Sequence, residues 1–149
     1  MEQFKLVNLF KNTSPTGTSK FYRLLTQCKY IVGDDYISSE ELVYIKNYYK
    51  YFNGQCDLKE IEIYKVKNNR FYRAFYSDEI KECCVEFYPL SEINTVCLKE
   101  SKNYLDINFD LSIFFKDGKS FNLNSLNDTY DEIASDDLSK IILNIYNSL

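Results

Sequence analysis

From Leu105 to Leu123 the chain alternates apolar and polar residues for longer than any helix would tolerate. Leu105, Ile107, Phe109, Leu111, Ile113 and Phe115 interleave with Asp106, Asn108, Asp110, Ser112, Phe114 and Lys116. A period of two sets one strand face in a core and the other mostly in water. Asp117-Gly118 follows at once, and Phe121 and Leu123 resume the alternation. The strand therefore folds back through a tight turn that needs positive φ, and the C-terminal two-thirds of the chain is expected to be antiparallel sheet.

The same period appears upstream. Ile61 and Ile63 alternate with Glu60 and Glu62, Asn68-Asn69 offers a tight turn, and Phe71 to Tyr76 returns. Ser77-Asp78-Glu79 turns again, Lys81 to Tyr88 reads as a third strand ended by Pro89, and Ile93 to Leu98 as a fourth, followed by a turn over Lys99 to Asn103. Strand follows strand through short links, which is an antiparallel meander.

Both ends read as helix. Phe4 to Phe10 is a short strand or extended lead-in, and Ser14-Pro15-Thr16-Gly17 is a turn. Ser19 caps a helix whose stripe is Phe21, Leu24, Leu25, Cys28, Ile31 and Val32, stopped by Gly33. Ser38 to Glu41 has the spacing of a capping box, opening a second helix with Leu42, Ile45, Tyr49 and Phe52 inside and Asn53-Gly54 as its stop. The two make a helical hairpin against the sheet. Tyr130, Ile133, Ala134, Leu138, Ile141, Ile142, Ile145 and Leu149 form a closing helix, which Ser135-Asp136-Asp137 would split if it capped a new one. The fold class is thus α+β in a single domain of 149 residues, with residues 1–56 as a helical subregion and 57–149 as sheet plus closing helix.

A meander closed by one C-terminal helix resembles the pleckstrin-homology-like fold, a bent barrel plugged by that helix. The resemblance covers Asp57 to Leu149. Tyr88-Pro89-Leu90-Ser91-Glu92-Ile93, the long strand, Asp117-Gly118-Lys119 and the terminal helix are similar to small bacterial members of that group. The helical hairpin ahead of the sheet and the lack of a Trp in the closing helix depart from it, and a flat α+β sheet is the alternative. Residue types then narrow the available chemistry. No histidine is present, which removes Ser-His-Asp and Cys-His catalysis and His-ligated metals. Cys28, Cys56, Cys83, Cys84 and Cys97 are odd in number and irregularly spaced, as for free thiols in a reducing compartment, and vicinal Cys83 and Cys84 would point to opposite strand faces. Asp106 to Asp110 mimics a calcium loop, but Leu111 stands where that loop needs Gly. No catalytic residue, metal site or cofactor is expected, although paired carboxylates or a lone Cys would leave no sequence signature.

Charge is asymmetric. Through Phe75 there are 12 Lys/Arg against 8 Asp/Glu, and from Tyr76 onward 6 against 14, within a net charge of −4. The acidic half argues against nucleic acid as partner. No apolar run has transmembrane length, and Met1-Glu2-Gln3-Phe4-Lys5 lacks the basic and apolar regions of a signal peptide, so a cytoplasmic location is expected. The 14 Tyr and 11 Phe, with many Lys, Asn and Ile, follow AT-rich codons, as in a low-GC Gram-positive bacterium or its phage.

Two surfaces stand out. Tyr44, Tyr48 and Tyr51, interleaved with Lys46 and Lys50, form a helix face suited to another protein, since Tyr combines apolar area with a polar tip. Lys65, Lys67, Arg70 and Arg73 surround the first strand turn. In the resembling family that hairpin can hold lipid phosphates with Lys and Arg, which implies an anion site here; the plainer reading is a solvated tip whose lysines blunt an exposed edge. The expected function is a non-enzymatic protein-interaction module, with binding of an anionic nucleotide or lipid headgroup as the alternative.

Overall fold

A computed structural model describes residues 1–13, 20–103, 106–129 and 132–149. The protein is α+β, with two antiparallel sheets between an N-terminal helical region and a C-terminal helix. The first sheet has the order β1 (Tyr44–Lys46), β2 (Glu62–Lys67), β3 (Arg70–Ser77), β4 (Glu82–Pro89); the second has β5 (Ile93–Asn103), β6 (Asp106–Phe115), β7 (Ser120–Asn124). The turns are those their residues dictate. Asn68 and Asn69 both take positive φ (54° and 60°), the two-residue turn that matches strand twist, and Gly118 at φ 91° closes the β6–β7 hairpin.

The sheets meet face to face through rings. Tyr64, Phe71 and Tyr88 alternate onto the inner face of the first sheet, and Phe115 and Phe121 onto that of the second. Tyr88 lies 4.7 Å from Phe115 and 5.2 Å from Phe121 between centroids, and Phe71 lies 5.4 Å from Phe121. Register explains the opposite face: Ile63 stands against Ala74 and both are buried, as is Tyr72. They are covered by α2 (Lys20–Thr26) and α3 (Lys29–Val32), whose Phe21, Leu24, Leu25 and Ile31 are buried, as is Cys28 between the two helices. Where α2 and α3 lie, the first sheet is therefore covered on both faces, and the neighbours Ile63 and Tyr64, like Phe71 and Tyr72, are buried in succession.

Helix α5 (Glu132–Ser148) packs on β6 through Ala134, Leu138, Ile141, Ile142 and Ile145. It runs unbroken as one continuous helix, and the alternative of a new cap at Ser135 is not realised. That hydroxyl donates to Asn108 Oδ1 at 2.6 Å instead of capping, and buried Ser139 donates to Ile107 O at 2.9 Å. The expected stripe residue Tyr130 lies outside the described residues, as do Leu105, Ser19 and the turn at Ser14 to Gly17.

The N-terminal expectation is corrected in three places. The lead-in is helical, with a 3-10 turn over Glu2–Phe4 and α1 (Leu6–Asn12), because Leu6, Leu9 and Phe10 bury one helical stripe. The first long helix is two short ones, α2 and α3. The second helix does not start at Ser38. Residues Tyr36–Ser38 form a 3-10 turn, β1 follows, and only α4 (Tyr48–Phe52) is helical. Val43, Tyr44 and Ile45 are all buried in succession, which a helix stripe cannot achieve and a strand covered on both faces can. The expected turn over Lys99 to Asn103 is likewise strand, since β5 continues through Asn103. The capping box that forms is Asp57 with Glu60.

Candidate functional site

The basic hairpin is mostly self-neutralised. Because β1 precedes β2, this hairpin is the second of its sheet. Lys67 Nζ lies 2.7 Å from Glu41, and Lys65 lies 3.7 Å from the same carboxylate while donating to Leu42 O at 2.9 Å. Burial lowers the Lys65 ammonium below its ordinary value against the pull of Glu41. Arg73 faces the inter-sheet side, as the expected opposition to Arg70 requires. It bridges Glu62 and Glu86, the latter at 2.9 Å, with its guanidinium 3.9 Å from the Phe75 centroid. Burial would lower Arg73, but the hydrogen bonds with Glu62 and Glu86 overcome that and hold it above its ordinary value. Arg70 is exposed and stacks 4.2 Å over Phe87. Three of the four cations expected to receive an anion thus already hold carboxylates, and one of those three is on the other sheet face.

The tyrosines also separate. Tyr44 is completely buried and presents no surface, which corrects its assignment to a protein interface; being on a strand, it is not helically spaced from Tyr48 and Tyr51. Those two are half-buried around Phe21, at 5.5 and 6.3 Å between centroids, and Phe52 is the ring of that cluster most open to solvent.

What Tyr44 does is fasten an edge. Its hydroxyl donates to Asp128 Oδ2 at 2.5 Å, and the Asn124 amide donates to the same oxygen at 2.9 Å. Lys46 Nζ lies 3.6 Å from Asp128 Oδ1 and donates to Asn122 O at 2.7 Å, while Lys50 donates to Asn127 O. The Asn47 amide reaches Asp128 O at 2.9 Å. Burial raises the Asp128 carboxyl above the usual range, opposed by Lys46 and Tyr44. Thus β1, an edge of the first sheet, is bonded to β7 and its following turn at an edge of the second.

The other pair of edges is β4 and β5, and there the backbone is unpaired among the described residues. Parity follows from two bonds. Phe115 N donates to Lys119 O and Ser125 N donates to Phe109 O, so odd residues of β6 face β7 and even ones face β5; Lys116 N to Glu92 O agrees. With Phe114 opposite Thr95, Ser112 opposite Cys97 and Asp110 opposite Lys99, it is Thr95, Cys97 and Lys99 that bond β6. Val96, Leu98, Glu100 and Lys102 therefore direct their N–H and C=O groups outward. Their neighbours Thr95, Cys97, Lys99 and Ser101 are exposed, so nothing described covers the strand. On β4 the bond from Leu90 N to Asn69 O sets the parity, so Cys83, Val85 and Phe87 face outward, up to Pro89, which has no N–H.

No protein-family model matches the chain, and neither a curated protein nor a solved structure is similar enough to match.

The remaining chemistry is spare. Cys28 is buried, and burial pushes its thiol up to about 12. Cys83 pairs with Tyr76 and Cys84 with Phe75, on opposite faces as a strand demands. Among the described residues no group of His, Cys, Asp or Glu is arranged to hold a metal ion, and no helix is long and apolar enough to cross a membrane. The Asp128 fastening and the β5 edge were both missed from sequence. A polar loop aspartate carries no signal of its burial, whereas the unbroken run Lys99 to Lys102 with no Gly or Pro was a legible sign that β5 continues.

Proposed function

We propose that the protein is a non-enzymatic interaction module of pleckstrin-homology-like architecture, and that it receives an extended segment of another protein as an added strand along β5. The observation that carries this reading is the row of outward N–H and C=O groups at Val96, Leu98, Glu100 and Lys102. An exposed sheet edge of this kind binds a peptide by main-chain hydrogen bonds and selects it by side-chain pockets. A hollow of about 410 Å³ starts at Lys99 and runs across β6 to Leu126 in the turn after β7, on the side of β5 away from that edge. The fold reading is supported by the order of four strands, three strands and closing helix; the α4 segment between β1 and β2 and the helices over the outer face are additions to it.

The test uses a displayed library of extended peptides and the variant Glu100→Pro. Proline at residue 100 removes an outward donor and spares the bonds to β6. Selected peptides are expected to perturb β5 amides in NMR spectra and to lose about tenfold or more in affinity for the variant, about 1.4 kcal/mol. Peptides that bind the variant as well as the parent, or whose perturbations lie away from β5, would refute the reading.

A further inference from the structure

Three cations without a carboxylate partner lie together away from the basic hairpin. Lys20 and Arg23, one turn apart on α2, and Lys81, at the end of the β3–β4 turn, line one surface cavity of about 300 Å³. None of the three forms an ion pair among the described residues, in contrast to Lys65, Lys67 and Arg73. Tyr76 forms part of the wall, with Lys20 Nζ 5.9 Å from its ring centroid, and Cys83 beside it is half-buried. Among the described residues, Glu82 is the one carboxylate lining the cavity. The adjoining cavity, which shares Lys20 and Tyr76, sets Asp57 and Asp78 against Lys20 and Lys59, so the positive excess is confined to the α2 side.

Three exposed cations, two on α2 and one on the β3–β4 turn, repel one another across this cavity, and an entering anion relieves that repulsion. The cavity volume is at the lower end of the range for small-ligand sites, about 300–1,000 Å³. Lysine and arginine donors arriving from different sides match a tetrahedral oxyanion, which accepts in several directions, better than a planar carboxylate. We propose that this cavity binds a phosphoryl group through Lys20, Arg23 and Lys81, with Tyr76 flanking the substituent that the phosphoryl carries. This site is independent of the β5 edge: it lies on the outer face of the first sheet, and neither surface contributes a residue to the other.

Pyrophosphate titration followed by residue-resolved amide shifts tests it directly. Shifts are expected at residues 20–27, 76 and 81–83, weakening as salt rises because exposed charges are screened. The triple variant Lys20→Gln, Arg23→Gln, Lys81→Gln should lose about tenfold or more in affinity, while Lys67→Gln, whose charge is already paired, should bind as the parent does. Vesicles carrying phosphatidic acid distinguish the source. Cosedimentation that pyrophosphate competes away assigns the phosphoryl to a lipid headgroup, and pyrophosphate binding without cosedimentation assigns it to a soluble ligand. Shifts elsewhere, no shift at millimolar pyrophosphate, or equal binding by a folded triple variant would overturn the proposal.

Discussion

Replacing Tyr44 by Phe removes one oxygen from the fastening between β1 and β7. The ring stays in its buried site 6.4 Å from the Tyr64 ring, so packing is retained and the change isolates the hydrogen bond to Asp128. Asp128 is only 3% exposed, and water cannot replace the lost donor freely. A hydrogen bond to a charged group contributes about 1.5–3 kcal/mol, which places the expected loss near 2 kcal/mol. For a chain of this size that lowers Tm by about 4–8 °C. Urea unfolding at neutral pH, with an unchanged m value, measures it. The pH dependence has a definite sign. Burial raises Asp128 in the folded state, so the folded protein binds its proton more readily than the unfolded chain. That contribution is favourable at low pH and is lost as pH rises through the folded pKa. Removing a donor to the ionised form raises this pKa further. The destabilisation by Tyr44→Phe should therefore be larger at neutral pH than in acid. A loss below about 0.5 kcal/mol, or one that grows as pH falls, would refute the role assigned to this pair.

Other perturbations have equally definite outcomes. At neutral pH Cys97, exposed on β5, should be alkylated before the other thiols, while Cys28, buried and with its thiol pushed up to about 12, should react only on unfolding, as peptide mass mapping would show. Phe71→Ala empties the centre of the ring cluster between the sheets and should cost about 3–5 kcal/mol in urea unfolding. At Gly118 a Cβ meets nothing within 4 Å, so Gly118→Ala should cost only the left-handed backbone penalty, about 1–2 kcal/mol, with the native amide spectrum otherwise retained.

The sheet was legible wherever one physical rule dominated. The β6 alternation, the Asn68-Asn69 turn and the Asp117-Gly118 turn are local, and the structure follows them. The misreading at Ser38 to Phe52 arose because Leu42, Ile45, Tyr49 and Phe52 satisfy a helical stripe, while the fact that decides against it, that Val43 and Tyr44 are also buried, depends on layers contributed by distant segments. Burial of Tyr44 then removed it from the tyrosine face. In the basic hairpin, same-strand position was readable, and it placed Arg73 opposite Arg70. The neutralising Glu41, however, comes from 24 or more residues upstream of Lys65 and Lys67, beyond any local pattern. Arg23 and Lys81 are equally remote in sequence, and only the packing of α2 against β3 and β4 sets them around one cavity.

Residue-resolved amide hydrogen exchange reads the free β5 edge most directly. Protection should alternate along one strand: Cys97 and Lys99, bonded to β6, should exchange about a hundredfold more slowly than Val96, Leu98 and Glu100, whose amides face outward. Uniform protection along the strand, or protection on the even residues, would contradict it.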